Sequence, residues 1–292
     1  MSVAAQAVEG SIATGAIYGL VGSGFAVIFR ATKVLSFTQS GFMLVGAFTF
    51  YDIITVWKLG FLLAILISAA AVAALSALVY FFVFARVASS AAFATSIATI
   101  GLAGVFQAII AIKFGTTPLT LPLVVSSHSY KFLGVFVPTV DIISTVIALI
   151  GFALLLMVLR FTPVGRRMEA VADNAPLAVH LGVSAARTST AAWALAGATA
   201  AVAGSIFSLR TFVVDPAGTS NLAMVAFPAI ILAGMDSVGG VLLGGLIFAG
   251  VQNFVYIVWG EQWVTIASFV MMLALLGVRP SGFFGTPDAV RL

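Results

Sequence analysis

Few side chains in this chain could do chemistry, and their spacing argues against catalysis. It holds two His (His128 and His180), nine Asp and Glu, thirteen Lys and Arg, and no Cys. A catalytic site needs a nucleophile beside a base, or a pair of titratable groups in mutual reach. Neither arrangement is visible. The two His fall on opposite expected sides of a membrane, His128 in an outer loop and His180 in a solvated inner segment, so an enzyme is not expected. Without Cys there are no disulfides or thiolate metal sites, and no metal site is expected. No G-x-x-x-x-G-K-[ST] occurs, so the chain does not bind ATP through a P-loop.

Ion coupling would need ionisable groups near mid-membrane. The candidates are Asp52, Asp141 and Asp236, each near the end of a span or in a turn, and none has a basic residue within one helical turn in sequence. An ion-coupled secondary transporter or channel is the alternative that these residues keep open.

One segment stands apart. Arg160, Arg166, Arg167, Glu169, Asp173 and Arg187 crowd into the 28 residues 160–187 of a chain that is 62 % hydrophobic and only 8 % charged. Charge at the bilayer centre costs about 2.5–3.5 kcal/mol per residue on the most lenient scale, so this island must lie in water. Met168, Val171, Ala172 and Ala175 recur at helical spacing, which predicts an amphipathic helix from Val164. Asn174 followed by Pro176 reads as a cap and a fresh start. A second short helix, 175–181, should end at Gly182.

The elements that carry the island follow from composition. Soluble domains average roughly 25 % charged residues; with 8 % charged and a mean hydropathy of +1.22, this chain is an integral membrane protein. Apolar runs of about 20 residues predict spanning helices, and the short alternating segments of a barrel are absent. Spans are expected over about 11–29, 34–56 (interrupted by the polar LSFTQSG, 35–41), 59–84, 93–112, 142–159, 191–209 and 263–277. RTFVVDPAGTSN reads as a polar loop, and 222–258 as two segments, the first short and interrupted by Pro228. The fold class is therefore an all-α polytopic bundle of eight or nine crossings with broken helices, a single domain over 1–292 whose inner loop covers about 160–189.

Nine crossings put Arg30, Lys33, Arg86, the island, Arg279 and Arg291 on one face. By the positive-inside rule that face is cytoplasmic and the N-terminus lies outside, with Lys58, Lys113 and Lys131. The N-terminus lacks a basic region before an apolar core, so a cleaved signal peptide is not expected. The scattered basic residues mark topology, and no nucleic-acid partner is expected. Gly15, Gly19 and Ser23, and again Gly240 and Gly244, form small-residue stripes suited to close helix packing within the bundle.

The island resembles the cytoplasmic loop of permease subunits of branched-chain amino acid ABC importers, the hydrophobic amino acid transporter family. That family's pattern runs roughly G-R-A-x-R-A-x-x-x-D, then after three residues A, then L-G-I. Gly165, Arg166, Ala170, Asn174, Ala178, Leu181, Gly182 and Val183 stand at those places. GAIYGLVGSGFAVIFRATKVLSFTQSGFMLVGAF is similar to the family's first two spans, AFPAIILAGMDSVGGVLLGGLIFAG to its Gly-rich broken region, and GVRPSGFFG (277–285) to its close. Two departures are plain. Glu169 replaces the second Arg and Asn174 the Asp, while Ser36, Phe37, Thr38, Gln39, Ser40 and Gly41 stand where N-F-A-H/Q-G-E is usual.

The resemblance implies a permease subunit in the bacterial cytoplasmic (inner) membrane, forming the pathway for a small polar solute, branched-chain or other amino acids. It implies coupling through Gly165, Arg166, Arg167, Glu169, Ala170, Asp173, Asn174, Ala178 and Gly182. Its partners would be two ABC ATPase subunits that bind the ATP, a second permease chain (homologous or identical), an extracytoplasmic solute-binding protein and membrane lipid. No cofactor is expected in this chain. Ser36, Thr38, Gln39, Ser40 and Pro228 are the pathway candidates, with helix–helix hydrogen bonding as the competing role for each.

Overall fold

A computed structural model describes residues 3–87, 92–125, 128–132, 135–279 and 282–285. Helix α1 (Val3–Thr32) descends from the outer to the inner end, and α2 (Thr38–Thr55) returns. α3 (Phe61–Val79) continues through a π-helical turn, Tyr80–Phe84, into α4 (Ala85–Val87). α5 (Ala92–Phe114) climbs out again, and α6 (Thr139–Phe161) descends to the inner helix α7 (Pro163–His180). α8 (Ala185–Thr211) ascends, α9 (Pro216–Val225) and α10 (Phe227–Ala233) descend as one broken helix, and α11 (Gly240–Trp259) and α12 (Glu261–Val278) complete the bundle. Outside the bundle, β1 (Leu119–Thr120) pairs antiparallel with β4 (Val213–Val214), and β2 (Ser129–Phe132) with β3 (Val135–Pro138).

Eight of the described segments are long and apolar enough to cross a membrane, and α2 is not among them. Yet α2 joins the inner end of α1 to the outer start of α3, so it is a ninth pass. It tolerates Gln39, Ser40 and Asp52 because α3, α5, α8 and α9 surround it, and Phe42, Met43, Leu44 and Phe48 are sealed inside. Burial sorts the other spans. α1 and α8 are 83 % and 72 % buried and form the core, whereas α5, α6 and α12, at 17, 22 and 6 %, face lipid or a partner.

Small residues hold the core together. A Cβ on Gly15 would lie 2.7 Å from the Leu246 Cα, and one on Gly245 2.7 Å from the Gly15 carbonyl oxygen, so α1 and α11 touch backbone to backbone. Gly244 meets the Ala229 carbonyl of α10 in the same way. α2 and α8 approach where Gly46 faces Ala201 and Gly204 faces Met43. Both sequence stripes thus pack inside this chain, as lipid supplies no hydrophobic drive for association. Hydroxyl and amide bonds lock the contacts: Ser68 Oγ donates to the Gly46 carbonyl (3.0 Å) and Ser76 Oγ to the Trp193 carbonyl (2.8 Å).

Arg30, Lys33, Arg86, Arg160, Arg166, Arg167, Arg187 and Arg279 gather at one end, against Lys58, Lys113, Lys131 and Arg210 at the other. That excess makes the first end cytoplasmic. Trp57, Trp259 and Trp263 are exposed at the outer end, the level of an interfacial aromatic belt. Arg291 lies outside the described residues, as do Pro280 and Ser281 of the closing motif.

Two sequence expectations need correction. The supposed loop RTFVVDPAGTSN contains the start of α9: Asp215 caps it, accepting from the Ala217 and Gly218 N–H groups at 3.1 and 2.8 Å, and Pro216 opens its first turn. The break in the 222–258 region is at Ala226, and Pro228 sits in the first turn of α10, where its missing N–H costs nothing.

Candidate functional site

The inner segment is built from the end of α6 outward. Thr162 leaves the helix in an extended conformation, Pro163 opens α7, and Gly165 presses against the Leu159 backbone, where a Cβ would collide with its carbonyl. α7 is two helices: Asn174 is non-helical (φ −154°, ψ 91°), and its Oδ1 accepts from the Leu177 N–H at 3.0 Å to cap the second half. Gly182, at φ +84°, ends the segment in the left-handed region that glycine adopts freely. Kink, restart and stop lie where the sequence put them.

The two halves differ in what they touch. In the first, Met168 and Val171 are buried where α7 packs on α1, α6 and α8, while Arg166, Arg167, Glu169 and Asp173 point to solvent. Ala170 is half-buried. In the second, Ala178 faces inward, Asn174 and Ala175 are exposed, and Leu177, Val179 and Leu181 are 54, 53 and 75 % exposed. Such an exposed apolar patch beside the membrane marks a contact surface, for protein or for lipid. A cleft of about 390 Å³ beside it carries Arg167 and Arg187. A wider one of about 970 Å³ lies between α1, α6 and α7, where Arg30 pairs with Glu169 at 3.2 Å. α7 is anchored along one face and has open space on two sides.

The pathway candidates cluster at the inner half of the bundle. Gln39 lies against Gly24, eight residues or about 12 Å from the inner end of α1, and donates to the Ala196 carbonyl at 3.0 Å. Ser36 and Thr38, both buried, share a 2.6 Å hydroxyl contact; Ser40, half-buried, donates to the Phe37 carbonyl; Pro228 is buried. The unwound approach to α2 thus climbs to mid-depth before the helix starts. There it meets the break between α9 and α10. Phe227 lies between Phe25 and Phe37, with ring centroids 5.9 and 5.4 Å away. Irregular backbone at membrane depth is tolerated only where protein or a cavity covers it, and this aromatic cluster covers both breaks at once.

The three Asp candidates for ion coupling take other roles or places. Asp52 pairs with Lys113 and Asp141 with Arg210, each at 2.6 Å, and Arg210 also donates to Thr14 Oγ1 at 2.7 Å. Both pairs lie in the outer half. Asp236 lines the wider inner cleft.

A family model for the permease component of branched-chain amino acid transport systems matches residues 7–276. The chain belongs to that family. Among the permease's relatives is the high-affinity branched-chain amino acid transport system permease protein LivH of Escherichia coli, 24 % identical over 98 % of this chain and 97 % of that one. A probable LivH of Methanocaldococcus jannaschii is 24 % identical over 95 % and 91 % of the two chains. A solved structure titled PsaBC from Streptococcus pneumoniae in complex with Fab covers 93 % of this chain and 91 % of that one, at 12 % identity and a TM-score of 0.47. Family and helices together make the chain a permease subunit of an ABC importer, multi-pass in the cytoplasmic (inner) membrane, and they retire the ion-coupled alternative.

Sequence reasoning gave no role to Leu177, Val179, Leu181, Phe37 and Phe227, although Leu181 and Phe37 stand in the segments that carry the resemblance. The first three were legible in principle. The restart at Asn174 resets the helical phase, and Leu177 and Leu181, four residues apart, then share a face.

Proposed function

We propose that the permease is the membrane half of an importer whose motor is two separate ABC ATPase subunits, and that α7 is the handle they grip. The single observation that carries this reading is the exposed Leu177, Val179 and Leu181 on the aqueous side, beside Arg166, Arg167 and Arg187. A partner offering an apolar groove with acidic residues at its edge is complementary to that surface. ATP-driven approach of the two motors would swing α7. Through Met168 and Val171 the motion reaches α1, α6 and α8 as a rigid-body change between outward- and inward-open states. Glu169, paired with Arg30 of its own chain, is committed to this hinge rather than to the motor.

A second permease chain, homologous or identical, would complete the pathway, and an extracytoplasmic solute-binding protein would deliver the solute. The names of the relatives support branched-chain amino acids as the default substrate, with other amino acids close behind. Ser36, Thr38, Gln39, Ser40 and Pro228 would flank the route, and Phe25, Phe37 and Phe227 would close it in this state. ATP binds to the partners, and this chain carries no cofactor.

The test is Leu177→Asp with Leu181→Asp, in proteoliposomes holding the assembled importer. The doubly substituted permease should fold, lose co-purifying ATPase subunits and lower leucine uptake at least roughly tenfold, since central apolar anchors carry about 2 kcal/mol or more each. Retained co-purification with undiminished uptake would remove α7 as the handle.

A further inference from the structure

On the opposite side of the membrane, α9, α11 and α12 line an open cleft of about 340 Å³ backed by α1. It lies within the size range of small-molecule sites. Its back wall is a fixed chain of hydrogen bonds: Tyr18 Oη donates to Gln252 Oε1 at 2.8 Å, and Gln252 Nε2 donates to Ser268 Oγ at 2.7 Å. Asn253 is held by its 3.0 Å bond to Ser11 Oγ. Asn221 and Thr265 reach the cleft with no side-chain partner among the described residues.

The cleft is deep. Asn221 lies five residues, about 8 Å, below the outer end of α9, and Asn253 six residues, about 9 Å, below Trp259. Amides at that depth do not face hydrocarbon, where unsatisfied polar groups cost several kcal/mol. They face water, a solute or a partner chain. One charged side chain lines the cleft, the carboxylate of Glu261 at the start of α12, which has no ion-pair partner among the described residues. Leu222 and Val225 supply an apolar floor.

We propose that this outer cleft is a subsite for the transported molecule and that it selects small solutes carrying an ammonium group, held by Glu261. The amides of Asn221 and Asn253 supply donors for an oxygen-bearing end, and Leu222 and Val225 take apolar bulk. The proposal rests on the permease reading and sharpens it. A zwitterion fits this set of groups, and a simple anion does not. Ammonium is also carried by phosphatidylethanolamine, and the two sources part in the experiment.

The chain has no Cys, so a thiol placed in the cleft is the permease's only one. Asn253→Cys, and separately Thr265→Cys, would be assembled with the importer's other subunits in liposomes containing phosphatidylethanolamine. Each would be treated with methanethiosulfonate reagents bearing a trimethylammonium or a sulfonate group. The cationic reagent should react roughly tenfold faster or more, as charge-lined clefts concentrate opposite charge. Adding Glu261→Gln should bring the ratio near one, and modification should abolish leucine uptake. Equal rates, or no labelling at either position, overturn the proposal. So does uptake that survives full modification, which assigns the ammonium to a lipid headgroup. If unmodified wild-type importer shows no ATP-dependent uptake, the permease reading falls instead, and the labelling ratio still judges the cleft.

Discussion

The seam between α2 and α8 and the inner helix α7 solve opposite problems with similar residues. In the seam the packing surfaces meet inside the chain. Gly46 meets Ala201, Ser76 reaches the Trp193 carbonyl, and Trp193 packs among Phe42, Tyr80 and Phe84 at centroid distances of 6.2, 5.4 and 4.7 Å. In α7 only one face is matched. Met168 and Val171 are buried, whereas Leu177 and Leu181 lie open at the aqueous side. A segment satisfied on all sides is scaffold. A segment satisfied on one side and apolar on the other is half of an interface, and the proposed partner is another chain.

That contrast can be broken at several strengths. Trp193→Ala should do most damage, about 3–5 kcal/mol, read as a lowered melting temperature in detergent; the fraction that folds should still capture ATPase subunits. The Leu177 and Leu181 pair should behave in reverse. Changed to Asp, it should leave the melt within about 0.5 kcal/mol while motor binding weakens by about 2 kcal/mol or more. A melt that fell as far as that of Trp193→Ala would make both regions scaffold. Arg30→Ala should matter least. Its partner Glu169 is 62 % exposed, and exposed pairs contribute about 1 kcal/mol or less, so the melt and motor affinity should barely move.

Much of this is legible in the sequence. The span expected at 93–112 is α5, Ala92–Phe114, and the one at 263–277 is α12, Glu261–Val278. Lipid-facing helices announce themselves because all their outward positions must be apolar. α2 was harder, since a helix wrapped by protein can hold Gln39 and Asp52. α9 was missed for the same reason: Asp215 and Pro216 are a plain start signal, but polar Thr219, Ser220 and Asn221 suggested a loop. Ion pairs were beyond reach. Asp52 and Lys113 stand 61 positions apart and Asp141 and Arg210 69, and a search within one helical turn finds neither. Of the inner segment, the kink at Asn174 and the stop at Gly182 were visible. The facing was partly wrong, because Ala175 is exposed and Ala178 is buried.

The most direct measurement places a photo-crosslinking amino acid at Leu181, in membranes that also hold the ATPase subunits. The account expects an adduct with an ATPase subunit, weakened when the same residue is placed at the inward-facing Ala178. Adducts with phospholipid alone, or equal yields from both positions, would contradict it.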